Sequence, residues 1–212
     1  MNTIWHMFWT WAFFRNKVYM PLAVIGSVIP DLQYFLGLIY MFITEGFNWQ
    51  SFLDGYQIPL VDNLAVVMHS FITVLIIFII FFIFKLKSLF PIVYAWTFHI
   101  LLDIASHFTE AYPIFWPLSN KTFTLGLSYW EEAHHSFEIN LVNLILFLIF
   151  MIYLFVKKYK FKNIEKNLFI FFIAYLALNT IIYVLFNPPH LLTELLFLII
   201  PIIVFSFIIF KN

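Results

Sequence analysis

Three residues able to bind a metal recur every fourth position in the segment His99-Ile-Leu-Leu-Asp103-Ile-Ala-Ser-His107. On a helix that spacing keeps them on one face, with a drift of about 40° per step. A single stripe can therefore serve two neighbouring ions. The segment His134-His135-Ser136-Phe137-Glu138 repeats the spacing between His134 and Glu138. An imidazole and a carboxylate one turn apart can both reach a single divalent ion, at about 2.0 to 2.2 Å each for zinc. Asp31 and His69 add two more such groups from separate apolar segments. With no cysteine in the chain, thiolate zinc sites, iron-sulfur clusters, disulfides and cysteine nucleophiles are excluded together. Any metal site must be built from His, Asp and Glu.

Each residue has an ordinary reading when taken alone. His69 would serve as a helix-helix hydrogen bond, and Asp103 would pair with one neighbour. His134, His135 and Glu138 would be a solvated helix start, and Asp62 a helix cap. Their coincidence in a chain with only 7 His points instead to metal chemistry. His190 and Glu194 fit structural or interfacial roles.

The elements that must carry these residues are membrane spans. The chain has 212 residues, 64% hydrophobic, 23% aromatic and 10% charged, with a mean hydropathy of +0.96. Such a composition leaves too little polar surface to cover a water-soluble domain. The 11 basic and 11 acidic residues cancel, so the basic field a nucleic-acid binder needs is missing and no nucleic-acid partner is expected. Apolar runs of spanning length cover Leu64 to Phe84, Leu89 to Phe108, Ile139 to Val156, Leu168 to Phe186 and Leu191 to Phe210. Val18 to Thr44 makes a sixth, interrupted by Pro30 and Asp31. Ile4 to Phe14 is too short to cross alone and reads as a half-inserted or interfacial helix.

The expected fold is thus all-α, a polytopic membrane helical bundle of about six transmembrane helices plus that short N-terminal helix. It is a single integral-membrane domain over 1–212, with the metal site in 1–138 and three supporting spans in 139–212. Arg15, Lys17, Lys85, Lys87, the lysines from Lys157 to Lys166, and Lys211 fall at alternate ends of successive spans. The positive-inside rule puts them in the cytoplasm. Segments 45–63, 109–138 and 187–190 then face the other side, where Trp49, Trp116, Trp130, Tyr56, Tyr112 and Tyr129 suit an aromatic belt. At about 1.5 Å per residue, Asp31 lies roughly 21 Å from Lys17, His69 roughly 24 Å from Lys85, and His99 and Asp103 roughly 18 and 24 Å from Lys87. Polar groups of three helices meet at one level in the outer half of the bilayer.

The segments Gly26-Ser27-Val28-Ile29-Pro30-Asp31, His69-Ser70, His99-Ile-Leu-Leu-Asp103 and Phe115-Trp116-Pro117-Leu118-Ser119 resemble the bacterial and archaeal membrane-bound, metal-dependent hydrolases regulated by LexA. The resemblance covers about two thirds of the chain, from His6 to Glu138. It departs from the family at Gln33, where members carry a second acid, and at Met68, where they carry Thr. The order of ligand types is also similar to that of zinc-dependent phospholipase C and the related single-strand-specific nucleases. Carried over, that resemblance implies one zinc on His69, His99 and Asp103, and a second on His107, His134 and Glu138. It implies a third that uses His6 and shares Asp103, with Asp31 as the general base.

These readings together lead to the expectation of a hydrolase in the cell inner membrane, using two or three divalent ions, with zinc first among them. Its site would face the extracytoplasmic side and cleave a phosphoester of a lipid or polyprenyl substrate. Lys121, with Ser119 and Asn120, could meet the phosphate from the water side. A cation transporter or channel could use the same His and Asp residues, a di-haem cytochrome could pair His from opposing helices, and a purely structural membrane protein would hold no stoichiometric metal.

Overall fold

The computed structural model describes residues 3–44, 59–129, 131–158, 160–162, 165, 166 and 170. The regular elements among the described residues are all helices, with no strand. The expected spans Leu168 to Phe186 and Leu191 to Phe210 lie outside them but for Ile170, as do His190, Glu194, Trp49, Tyr56 and Trp130. The chain divides into two compact units, 1–134 and 135–212.

In the first unit, α1 (Thr3–Phe14) buries Phe8, Trp11 and Ala12 together with the polar His6 and Thr10. It packs on α2 (Met20–Gly26) and α6 (Phe90–Ile104). The expected span Val18 to Thr44 is divided. After α2 the chain makes a 3-10 turn, Ile29–Asp31, before α3 (Leu32–Thr44) begins. Pro30 stands in the first positions of that turn, where its missing N–H and fixed φ suit a helix start but not a helix interior.

The run Leu64 to Phe84 is divided as well, against the expectation of one continuous span. α4 (Pro59–Met68) and α5 (Phe71–Ile83) are bent by 62° from one another across His69 and Ser70. Ser70 is extended, at φ −97° and ψ 131°, and its Oγ accepts from the Ile72 N–H at 3.1 Å. A side chain capping a new helix removes the reason for the old one to continue. The indole N–H of Trp96 donates to the Met68 carbonyl at 2.6 Å, satisfying a backbone acceptor that the break leaves orphaned.

The 15 residues of α6 extend about 22 Å, less than the roughly 30 Å hydrocarbon thickness. Its inner face joins Val74 of α5 and Ile114 of the following loop in an apolar core built on Val93, Trp96 and Ile100. Loop 105–129 is tied down by backbone: Leu125 N–H donates to Ile104 O at 3.0 Å, Tyr129 N–H to Ser106 O at 3.0 Å, and Phe71 N–H to Ile114 O at 2.8 Å.

In the second unit, α7 (Ser136–Val156) is long and apolar enough to cross a membrane, the one such single helix among the described residues. α4 and α5 meet the same test only as a bent pair. His135 precedes α7 in the left-handed region, at φ 64°. Ile145, Leu146, Ile149 and Ile152 of α7 are exposed, as are Leu75, Ile76, Ile79 and Ile83 of α5.

Candidate metal centre

The breaks in the helices are where the ligand-type residues converge. Asp31 ends the 3-10 turn, His69 lies in the gap between α4 and α5, and His99 and Asp103 occupy the last turns of α6. α1 brings His6. α6 ends at Ile104, yet the His107 N–H still donates to the Asp103 carbonyl at 2.9 Å. One more helical turn therefore keeps His107 under Asp103, as the i+4 spacing requires.

Asp103 is the hub. Its Oδ1 lies 2.9 Å from His6 Nε2 and 3.2 Å from His107 Nε2. Its Oδ2 lies 3.0 Å from His99 Nε2 and 3.4 Å from His69 Nε2. Asp31 Oδ1 faces the same two imidazoles, 3.6 Å from His99 and 3.7 Å from His69. The His6 and His99 rings stack with centroids 3.7 Å apart. All of these residues but His107 are buried, and His107 is 14% exposed at its side chain.

Ring orientation decides what the cluster can hold. His69 Nδ1 lies 2.8 Å from the Ala65 carbonyl and His99 Nδ1 2.7 Å from the Ser27 carbonyl. A carbonyl oxygen only accepts, so each Nδ1 carries the proton and each neutral ring presents a lone pair at Nε2. Those lone pairs face carboxylate oxygens that are also acceptors. Such an arrangement is repulsive unless a proton or a cation stands between them. A ring fixed through its far nitrogen is also how metal-bound histidines are oriented. Among the described residues, His6, His99 and Asp103 form one group able to hold a metal ion, and Asp31, His69 and His99 form another. With Nδ1 committed to Ser27, His99 has one lone pair to give, so only one of those triads can use it at a time.

His134 and Glu138 are placed differently. His134 closes a 3-10 turn, with Nε2 3.8 Å from Glu131 Oε2 and its ring centroid 3.8 Å from that of Phe108. Glu138 lies in the first turn of α7, 3.6 Å from His135 Nδ1. His134 belongs to the first compact unit and Glu138 to the second, and neither is in the two metal-capable groups among the described residues.

A small cavity opens on the cluster, lined by His69, Asp103 and His107 together with Ile104, Ile114 and Phe123. Tyr112 also lines it, its ring stacked on His69 with centroids 4.3 Å apart. Lys121 Nζ stands 5.6 Å from the Phe123 ring centroid.

Sequence reasoning missed three supports: the Thr3 hydroxyl, which donates to Asp31 Oδ2 at 2.5 Å, the Ser27 carbonyl, and Ser70. Thr3 had a readable signal, standing three residues before His6 on the same helical face. Ser70 caps α5 and donates to the Trp116 carbonyl at 2.5 Å, so it fastens the loop over the site. Ser70→Ala removes a cap worth about 1 kcal/mol and strands a part-buried carbonyl at about 1 to 3 kcal/mol. A stability loss of about 2 to 4 kcal/mol is expected in detergent-solubilised unfolding. An unchanged midpoint would show that the loop is held by other contacts.

Comparisons of the chain with family models, with curated proteins and with solved structures found no match in any of the three.

Proposed function

We propose that the chain is a multi-pass protein of the cell inner membrane and a metal-dependent hydrolase acting on a phosphoester of a membrane lipid or polyprenyl carrier. One observation carries this reading: four imidazole Nε2 atoms surround the Asp103 carboxylate, two of them with their other nitrogen committed to a carbonyl. The exposed aliphatic faces of α5 and α7 support a lipid setting. The alternation of basic residues along the chain supports cytoplasmic ends on the side away from the cluster.

In this reading Asp31, His69, His99 and Asp103 Oδ2 hold one divalent ion, with zinc as the first candidate. His6, His107 and Asp103 Oδ1 hold a second. In this reading Asp103 serves the second and third sites that ligand order implies, without calling on His134 or Glu138. Asp31, with Oδ1 turned to His69 and His99, serves as ligand rather than as the expected general base. The ions supply Lewis-acid polarisation of a phosphoryl oxygen and a water of lowered pKa. The protein supplies the rest: two carboxylates, two imidazoles fixed through backbone carbonyls, and a cavity lined by polar and apolar side chains. In the hydrolysis, the water oxygen bonds to phosphorus as the ester P–O bond breaks, and the proton lost by water ends on the leaving oxygen. In this reading Lys121, whose Nζ stands 5.6 Å from the ring of the wall residue Phe123, attracts the phosphate.

Purified protein is expected to carry one or two equivalents of divalent metal and to release phosphate or a phosphorylated headgroup from long-chain substrates presented in detergent. His99→Ala should remove the first ion and the activity together. Metal-free wild-type protein with full phosphoesterase turnover, or stoichiometric metal with no turnover on any phosphoester tested, would count against the hydrolase.

A further inference from the structure

α1 presents two polar side chains to the centre, and only His6 is of a type that binds metal. Thr3 stands one turn before it, on the same face, and its Oγ1 donates to Asp31 Oδ2 at 2.5 Å while His6 Nε2 reaches Asp103 Oδ1 at 2.9 Å. One short helix thus touches both carboxylates of the cluster.

We propose that Thr3 is the positioning residue that makes Asp31 a one-oxygen ligand, an assignment that rests on the metal centre proposed above. A carboxylate can grip a divalent ion with both oxygens, with one, or rotate away from it. The hydroxyl of Thr3 removes two of these options, because Oδ2 is engaged in a charge-assisted hydrogen bond whose length is typical of O–H donors on carboxylates. What remains is Oδ1, the atom that faces His69 and His99. Asp31 has no helix of its own to hold its rotamer, since it ends a three-residue 3-10 turn. Its orientation must come from a neighbour, and Thr3 is the neighbour that supplies a donor. Orienting partners of this kind typically change metal affinity by about 10- to 100-fold when removed.

The test is a cobalt(II) titration of the full-length chain in detergent, followed by visible absorption, on wild type, Thr3→Val and Thr3→Ser. Thr3→Val keeps the shape of the side chain and deletes the donor, whereas Thr3→Ser keeps the donor and deletes a methyl group. In Thr3→Val, one cobalt equivalent is expected to bind about 10- to 100-fold more weakly, with altered absorption bands because the oxygen donors around the ion change. Thr3→Ser should restore both affinity and spectrum. Packing alone would not shift the ligand-field bands, and it would not be rescued by the smaller hydroxyl residue. A Thr3→Val protein that titrates with wild-type affinity and bands overturns the assignment, as does a Thr3→Ser protein no better than Thr3→Val. A wild-type chain that takes up no cobalt removes the metal centre itself, an outcome distinct from failure of the Thr3 role alone.

Discussion

Asp103→Asn is expected to empty the centre of metal and abolish hydrolysis while leaving the helices in place. Two effects act in opposite directions on this variant. The amide keeps the size of the carboxylate and adds an N–H donor, which one of the inward-facing Nε2 lone pairs of His69 and His99 can accept. The metal-free fold keeps a hydrogen bond at this position, because the amide N–H takes the place of the proton that stands between carboxylate and imidazole in the metal-free wild type. Metal binding loses the one anion that all four imidazoles surround, with His6 and His107 on one oxygen and His99 and His69 on the other. Loss of a partner that merely orients a ligand costs about 10- to 100-fold in affinity. Deleting a shared ligand should exceed that, to more than about 100-fold. Elemental analysis, thermal unfolding of the metal-free protein and phosphoester turnover separate the two effects. Full metal content with undiminished turnover in Asp103→Asn would overturn the assignment of the site.

What the sequence made legible was the part that depends on short-range periodicity and on the cost of polar groups in apolar runs. The stripe of His99, Asp103 and His107 is there, even though the helix proper ends at Ile104, because its spacing is that of one turn and the His107 N–H still closes on Asp103. Asp31 and His69 gather around it from other segments, as their placement in apolar runs suggested, and His6 joins them as the resemblance in ligand order implied. Hydropathy failed at the junctions. It registers Leu64 to Phe84 as one run because His69 and Ser70 barely lower an average, whereas the backbone responds to the Ser70 cap and turns by 62°. It also cannot see that His135 adopts φ 64°, so that α7 begins only at Ser136. Contacts made through backbone oxygens, such as Ser27 on His99 and Ala65 on His69, leave no residue-type signature at all.

Gly26→Ala is expected to do nearly as much damage as loss of Asp103, from a residue with no polar atom in the centre. A Cβ built on Gly26 would lie 2.3 Å from the Ile92 carbonyl oxygen and 2.7 Å from the Ile92 Cα. Both are backbone atoms of α6, so no side-chain rotation relieves the overlap, and α2 must move away from α6 by about 1 Å to reach ordinary contact. Overpacking of this kind costs about 1 to 3 kcal/mol in stability. The larger consequence is at the site, because the residue after Gly26 is Ser27, whose carbonyl holds His99 Nδ1 at 2.7 Å. Asp31 follows on the same segment, while His99 and Asp103 belong to α6. Separating the two elements therefore pulls one carboxylate from the other and frees the ring of His99 to rotate. Metal affinity should fall by about 10- to 100-fold, as for loss of an orienting partner, and turnover should fall with it. Adding Ile92→Ala to Gly26→Ala should not restore either property, since it is the Ile92 backbone that obstructs. If that second substitution rescues metal binding, or if Gly26→Ala alone binds metal as wild type does, the close approach of α2 to α6 is not what sets the geometry of the centre.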